Sequence, residues 1–538
     1  MSDFDTIVIG SGAGGLTAAL SLARFGHRVL VLEQHSLPGG WCHSFALNGF
    51  LFSPGVHYIG QLHPGGRLRK IYEGLGVAND LTFLELNPDG FDHVITGDRQ
   101  FDIPKGRDRY VARLQEEFPS EAQNLLSLFR IIDSLANVNG TRRGVMNKLQ
   151  LVTVGLRSMD HLLNRVGIQD ERLRAILTIQ SGDHGMAPSE APAALHAAVM
   201  AHYFEGAYYP MGGARSLPRA FIRALARHDG EIRVRTPVVR ILVEGTGRRR
   251  RAVGVGLADG TTISADQVVS NADPHITFEK LIGKEHLSRR LQKRLSHTEY
   301  SHSALSLFCA TDLDLESMGF DSGNYWYSAT GRVEDLYDQA NRVSHEADDL
   351  PGIFLTITTL KDRSKRKDRL HTIECFSLAS YDPFHKWQDS HYGDRPEDYE
   401  IFKNKLREKM LRRMNELIPD LSKHIVFSEL GTPLTKAHYI HATRGSLYGT
   451  AKRWNQIGPW AYPVQTEIQG LFMCGASTEA HGVAGVTETG ITAAKKIAKC
   501  RARDFLNEQD QHLTILPCDD VNAWAASMHT AVTEQCID

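Results

Sequence analysis

Clustered cysteine is absent from this chain. Its 538 residues include seven cysteines, Cys42, Cys309, Cys375, Cys474, Cys500, Cys518 and Cys536, with no C-x-x-C pair and no histidine cluster at zinc spacing. Neither a disulfide framework nor a bound metal is expected. Net charge is also lacking, with 61 Lys and Arg against 63 Asp and Glu for a formal charge of −2. No global basic field is available to hold a polyphosphate backbone, so a nucleic-acid partner is excluded. No apolar run approaches the roughly 18 to 20 residues that span a bilayer, which argues against an integral membrane protein. The first residues, Met-Ser-Asp-Phe-Asp, lead straight into an apolar strand without the basic and apolar regions of an export signal. A cytoplasmic chain is expected, with attachment to a membrane surface left open. No nucleophile elbow with a Ser-His-Asp arrangement occurs, so hydrolase chemistry is not expected.

What the chain does have is length and glycine. It is too long for one compact core, and its 47 glycines somewhat exceed an ordinary usage of roughly 7%. Residues 5–9, DTIVI, have the β-branched apolar character of a buried parallel strand. GSGAGG follows, with Gly10, Gly12 and Gly15 at G-x-G-x-x-G spacing around Ala13 and Gly14. The first glycine permits a tight turn, the second lets backbone approach a pyrophosphate, and the third lets helix and strand pack closely. The helix LTAALSLARFG presents free N–H groups and its positive dipole end to phosphates, and Gly26 ends it. A second strand, RVLVLE, stops at Glu33, where a carboxylate accepts hydrogen bonds from an adenosine ribose. An acid here prefers ribose hydroxyls to a 2′-phosphate, favouring FAD or NAD over NADP.

Further along, Gly39 and Gly40 in QHSLPGGWCHSF resemble the second glycine signature of the FAD-binding amine oxidase and phytoene desaturase superfamily, where this loop lies along the flavin. Residues 470–497 contain a short strand ending at Gly475, a loop bearing His481, Gly482 and Gly485, and a helix expected from near Glu488. This segment resembles the closing FAD motif of that superfamily. Residues 231–274 are similar to its central β segment, with Val238 near the adenine and SNADP re-entering the cofactor domain. The stretch GGWCHSFALNGFLFSPGVHYIG resembles the retinol saturase branch through Gly39, Gly40, Cys42, His43, Gly55, His57, Tyr58 and Gly60. YPMGGARSLPRAF (209–221) and TRGSLYG (443–449) resemble segments on the substrate side of the flavin. Trp41 departs from the small or sulfur-containing residue common in the animal enzymes, which points to a polyene or isoprenoid lipid other than retinol.

The resemblance implies an α/β fold in which a discontinuous Rossmann-type FAD-binding domain (1–75, 210–275 and 425–500) interleaves with an α+β substrate-binding domain (76–209 and 276–424), followed by a C-terminal extension (501–538). The cofactor-binding residues it implies are Gly10, Gly12, Ala13, Gly14, Gly15, Glu33, Gln34, Gly39, Gly40, Val238, Gly475, Gly485 and Val486. It implies an FAD-dependent oxidoreductase acting on the double bonds of an apolar polyene of retinoid or carotenoid type, with saturation preferred to desaturation or cis–trans isomerisation. A flavin can give or take a hydride, and saturation also needs a general acid. His57, Tyr58 and His481 are the candidate acids, and Arg444 is an electrostatic partner for flavin or substrate. Only one dinucleotide fingerprint is present, so the electron donor or acceptor is external and unidentified. GDP-dissociation-inhibitor proteins share this architecture and bind lipid without catalysis, but they usually degrade the flavin signatures, which are intact here.

Two basic runs, residues 248–251 and 361–369, read as solvated tips, the second with anionic lipid as an alternative partner. Residues 145–163 place Met146, Leu149, Val152, Leu156, Met159 and Leu163 at helical steps. This reads as a core-facing helix, or alternatively as a lid or membrane-facing entrance.

Overall fold

The computed structural model of the chain describes residues 2–136, 151–342, 349–520 and 524. Two seven-stranded sheets organise them. The first grows from strand Phe4–Ile9, which pairs in parallel with Val29–Leu32 on one side and Thr262–Ser270 on the other. Glu231–Arg233 extends it beyond Val29–Leu32, and Leu471–Met473 joins Thr262–Ser270 from the far end of the chain. Residues in these strands alternate between two cores. Val8, Val29 and Val31 face helices Ala13–Arg24, Ser216–Ala226 and Gly482–Ala498, while Ile7, Ile9, Leu30 and Leu32 meet the hairpin Val238–Glu244/Arg251–Leu257 and the π-helix His275–Ile282.

The second sheet runs in the order Ile425–Gly431, Ser303–Thr311, His371–Ala379, Gly352–Ile357, Asn324–Ser328, Asp92–Thr96, Arg99–Ile103. Its strands pair antiparallel except Asn324–Ser328 with Asp92–Thr96. The 21-residue helix Glu397–Leu417 covers one face through Leu406, Met410 and Met414. A helical layer including Ala122–Ala136 and Ala193–Tyr203 packs its apolar residues in one core with Val94, Phe101 and Trp326 of the sheet. Strand Thr514–Pro517 of the C-terminal extension pairs with Thr82–Glu85, which also carries Tyr208–Pro210. The fold is α/β, as the resemblance implied.

Several local expectations are corrected. The closing helix begins at Gly482, six residues before Glu488, and packs on helix Ala13–Arg24, where a Cβ on Gly490 would collide with the Gly14 carbonyl oxygen. Ile425–Gly431, placed from sequence at the start of the last cofactor segment, is hydrogen bonded to Ser303–Thr311 in the second sheet. Met146 and Leu149 lie outside the described residues. The rest of their segment is not one helix: Leu151–Gly155 and Met159–Val166 are separate, with Met159, Leu162 and Leu163 buried and Val152 exposed. The basic run 361–369 is not wholly solvated either. Lys361 is fully buried and Lys365 donates to the Tyr209 hydroxyl at 3.1 Å, leaving Lys367, Asp368 and Arg369 as the exposed tip. No described helix is long and apolar enough to cross a membrane. No group of three or more His, Cys, Asp or Glu among the described residues is placed to hold a metal.

Candidate active site

The glycine turn after Phe4–Ile9 opens into a cavity of about 1070 Å³. Gly10 takes φ +90°, a left-handed conformation that costs glycine little. Gly12 precedes helix Ala13–Arg24, whose N-terminus has neither a capping side chain nor an acid in its first turn. Its backbone N–H groups remain available to an anion. Gly482–Ala498 likewise starts without a side-chain cap or first-turn acid, after His481. Two helix N-termini from opposite ends of the chain therefore meet one cavity.

Buried polar side chains tie these loops together. Glu33 Oε2 accepts hydrogen bonds from Ser11 N (2.9 Å) and Ser11 Oγ (2.6 Å), and Oε1 accepts from His35 N at 2.9 Å. Ser11 Oγ in turn accepts from Gly39 N at 3.0 Å, so the acid holds the first glycine turn against the second. Asn271, in the re-entering SNADP segment, wedges between both ends of the chain. A Cβ on Gly12 would lie 2.5 Å from its Nδ2, and one on Gly475 2.8 Å from its Oδ1. Its backbone N–H donates to Ile9 O at 2.9 Å. Ser11 and Asn271 were missed as site residues, although GSG and SNADP were the signals that carried them.

Of the expected cofactor residues, Gly10, Gly12, Ala13, Gly14, Glu33, Gln34, Gly39, Gly40, Val238, Gly475 and Val486 line the cavity. Gly15 and Gly485 do not. Gly15 packs behind the turn, where a Cβ would strike the Gly10 carbonyl oxygen, and Gly485 closes against Ala480. Residues 209–221 are also absent from the lining: Pro218 instead buttresses Gly39 from behind, whereas Thr443, Arg444 and residues 446–449 do line it.

Beyond Gly40 the wall becomes aromatic, with Trp326, Tyr337, Phe354, Phe376 and Tyr448. His57, Tyr58 and Arg444 line this cavity, whereas His481 is not part of its lining. His57 Nδ1 lies 3.1 Å from Glu374 Oε2, out of line for a hydrogen bond, and burial holds its pKa below the ordinary value. Burial pushes the Tyr58 phenol well above its ordinary value. His481, pushed down to about 3 by burial, lies with Nε2 3.2 Å from the Asp183 carbonyl oxygen and donates there in its neutral form. Arg444 is half-exposed, pairs with Asp382 and stacks over Tyr381 at 5.7 Å.

Behind these residues runs a buried polar chain that sequence reasoning did not find. Lys361 Nζ donates to the His57 carbonyl oxygen (2.7 Å) and to Asn324 Oδ1 (2.5 Å). Asn324 Nδ2 donates to Asp92 Oδ1 at 2.9 Å, and Gln180 Nε2 to Asp92 Oδ2 at 3.0 Å. The Tyr58 hydroxyl lies 2.7 Å from Asp183 Oδ2 and 3.3 Å from Asp92 Oδ2. No local pattern marks Asp92, Asp183 or Lys361, which are brought together by strand Asp92–Thr96 and the short helices Ile179–Asp183 and Thr358–Lys361.

Comparison with known proteins decides what kind of site this is. The family described as flavin containing amine oxidoreductase matches residues 13–312, more than half of the chain. This chain belongs to that family. The all-trans-retinol 13,14-reductase of Danio rerio is 32% identical to it over 530 residues, covering 92% of this chain and 86% of its own. A prolycopene isomerase of Arabidopsis thaliana is 25% identical, covering 92% and 82%. The solved structure of an oxidoreductase from Methanosarcina mazei shares the fold, with a TM-score of 0.64 at 17% identity over 91% of this chain and 99% of that one.

The cofactor of this amine oxidoreductase family member is FAD, and its cradle fits that molecule. Two uncapped helix N-termini suit the pyrophosphate and the pyrimidine edge of a flavin, which gathers negative charge on reduction; the buried Glu33 suits the ribose, and the glycines leave no Cβ in the way. When bound, FAD supplies two-electron hydride chemistry. The chain is an FAD-dependent oxidoreductase. The non-catalytic lipid-binding alternative is not favoured, because the flavin cradle is complete and the matching family is one of oxidoreductases.

Proposed function

We propose that this enzyme acts on the carbon–carbon double bonds of an apolar polyene or isoprenoid lipid, with saturation preferred to desaturation or isomerisation. The observation that carries the reading is an aromatic cavity continuous with the flavin cradle, in a chain whose relatives over 92% of its length include a retinol reductase. Trp326, Phe354 and Phe376 hold an extended apolar chain by burial and exclude water from the reacting carbons. His57 and Tyr58, steadied from behind by Glu374 and Lys361, shape the polar side of that cavity. Arg444, engaged with Asp382, guards its mouth. The cofactor domain comprises residues 1–75, 210–275 and a last segment that begins after Gly431, with the substrate domain between them. Electrons enter from an external carrier at the flavin, and the exposed tip at Lys367 and Arg369 is available to a membrane surface that holds the substrate.

The test is anaerobic incubation of chemically reduced enzyme with a panel of retinoids and carotenoids, reading product mass. A gain of two hydrogens is expected. With oxidised enzyme, loss of two hydrogens identifies a desaturase, and unchanged mass with altered retention identifies an isomerase. No product from any polyene refutes the substrate class.

A further inference from the structure

The second sheet and the 3-10 helix Ile179–Asp183 bring two carboxyl groups to one tyrosine hydroxyl, and the two are treated differently. Asp92 is fully buried and accepts from Asn324 and Gln180, with Lys361 one link further back. Burial pushes it up to about 6, and these donors oppose that rise and favour its charged form. Asp183 has only Tyr58, on Oδ2. Its Oδ1 has no hydrogen-bond partner among the described residues, and the side chain lines the cavity. The part of the residue that is not buried is open to that cavity. Its backbone is anchored too, since the Asp183 carbonyl oxygen accepts from His481, the residue that opens helix Gly482–Ala498 at the flavin cradle. A carboxyl oxygen without a partner therefore opens on the apolar chamber, in a residue whose backbone is tied to the start of the cradle helix.

We propose that Asp183 donates the proton in double-bond saturation, with Tyr58 and Asp92 as the groups that position it and keep that proton in place. The inference rests on the saturation reading above. One carbon of the double bond takes a hydride from reduced flavin and its neighbour takes the proton from Asp183 Oδ1. The π bond is lost, two C–H bonds form, the electron pair comes from the flavin, and Asp183 is left as a carboxylate held by the Tyr58 hydroxyl until solvent reprotonates it.

The surroundings agree. Burial and the neighbouring Asp92 charge push Asp183 up to about 8, so it keeps its proton at neutral pH. The groups facing it are Tyr58, Asp92, His481 and the phenols of Tyr203, Tyr337 and Tyr448. The nearby amines of Lys361 and Lys452, both lowered to about 7 by burial, act on Asp92 and His481 instead. The phenol of Tyr58 is too weak an acid, and His481 has its proton committed to a carbonyl.

Asp183→Asn keeps the size and the Tyr58 contact but carries no transferable proton. In anaerobic stopped flow, reoxidation of reduced flavin by the polyene should slow by on the order of 10² to 10⁴, with flavin absorbance and occupancy unchanged. The wild-type rate should fall as pH rises through about 8, and the variant should lack that limb. A readout independent of turnover is the infrared band of a protonated carboxyl in oxidised holoenzyme, lost on titration through the same pH and absent from the variant. If the variant turns over like wild type, Asp183 is not the donor. Should the variant not fold, the wild-type band and pH limb decide, and the absence of both overturns the proposal. Wild-type enzyme that reduces no polyene overturns instead the reading on which this one rests.

Discussion

Lys361 gives the clearest physical test of the buried polar chain, because it does not require the substrate to be known. Its ammonium group is fully buried in the second sheet, held by the His57 carbonyl oxygen and Asn324. Desolvation lowers its pKa from 10.5 to about 7. Between those values the unfolded chain binds a proton that the folded chain does not. Stability must therefore rise with pH across that window, and be lost as pH falls toward about 7. The slope is about 1.36 kcal/mol per pH unit. Lys361→Met preserves the apolar stem and removes the titrating group. Urea unfolding of both proteins at saturating FAD, at about pH 7.5 and about pH 9.5, should show wild type gaining roughly 3 kcal/mol relative to the variant over that interval. Loss of the two hydrogen bonds adds an offset that does not depend on pH. Two parallel stability curves would refute the reasoning, since they would mean that Lys361 binds its proton equally in both states.

The same residue shows where sequence reasoning stops. Residues 361–369 carry six Lys or Arg side chains in nine positions, and a run of that kind reads as solvent-exposed. Its first lysine is buried because strands Asn324–Ser328 and Asp92–Thr96, distant in sequence, place Asn324 and Asp92 where an ammonium group is satisfied. The flavin cradle was legible for the opposite reason. Gly10, Gly39 and Gly475 answer a local requirement, positive φ at a turn, and a requirement of that kind is written at the residue itself. Glu33 was legible from its place at the end of a strand. Its partner Ser11 and the wedge Asn271 were not, because a serine or an asparagine acquires its role only from what folding sets beside it. Helix Gly482–Ala498 starts earlier than Glu488, with Gly482 and Gly485 in its first turns, although propensity penalises glycine in a helix. Further along, Gly490 is what lets the helix approach Gly14. Asp92 and Asp183 left no local trace at all, being isolated aspartates 91 positions apart that share one tyrosine.

Two further predictions concern the cradle. Gly15→Ala puts a methyl group against the Gly10 carbonyl oxygen, a backbone atom that cannot swing aside. The helix must shift off the strand, which should cost about 1 to 3 kcal/mol of stability and show as a lower thermal midpoint with weaker flavin retention. A variant as stable as wild type would mean that the turn is not the close contact described. Glu33→Gln is the more discriminating change, because it keeps the volume while removing a charge that accepts three hydrogen bonds, two from Ser11 and one from His35. Charge-assisted bonds contribute about 1.5 to 3 kcal/mol each, and an amide has only one acceptor oxygen, so at least one of the Ser11 or His35 donors is left unpaired. Ser11 Oγ also accepts from Gly39 N, so the second glycine turn loosens with the first. Both turns face FAD, and its dissociation constant should therefore rise by about 10- to 100-fold, measured by titration of apoenzyme with FAD. The apoenzyme fold should survive, since Val8, Val29 and Val31 beneath the turn remain packed. Unchanged FAD affinity would show that neither the two turns nor the ribose depends on the Glu33 charge.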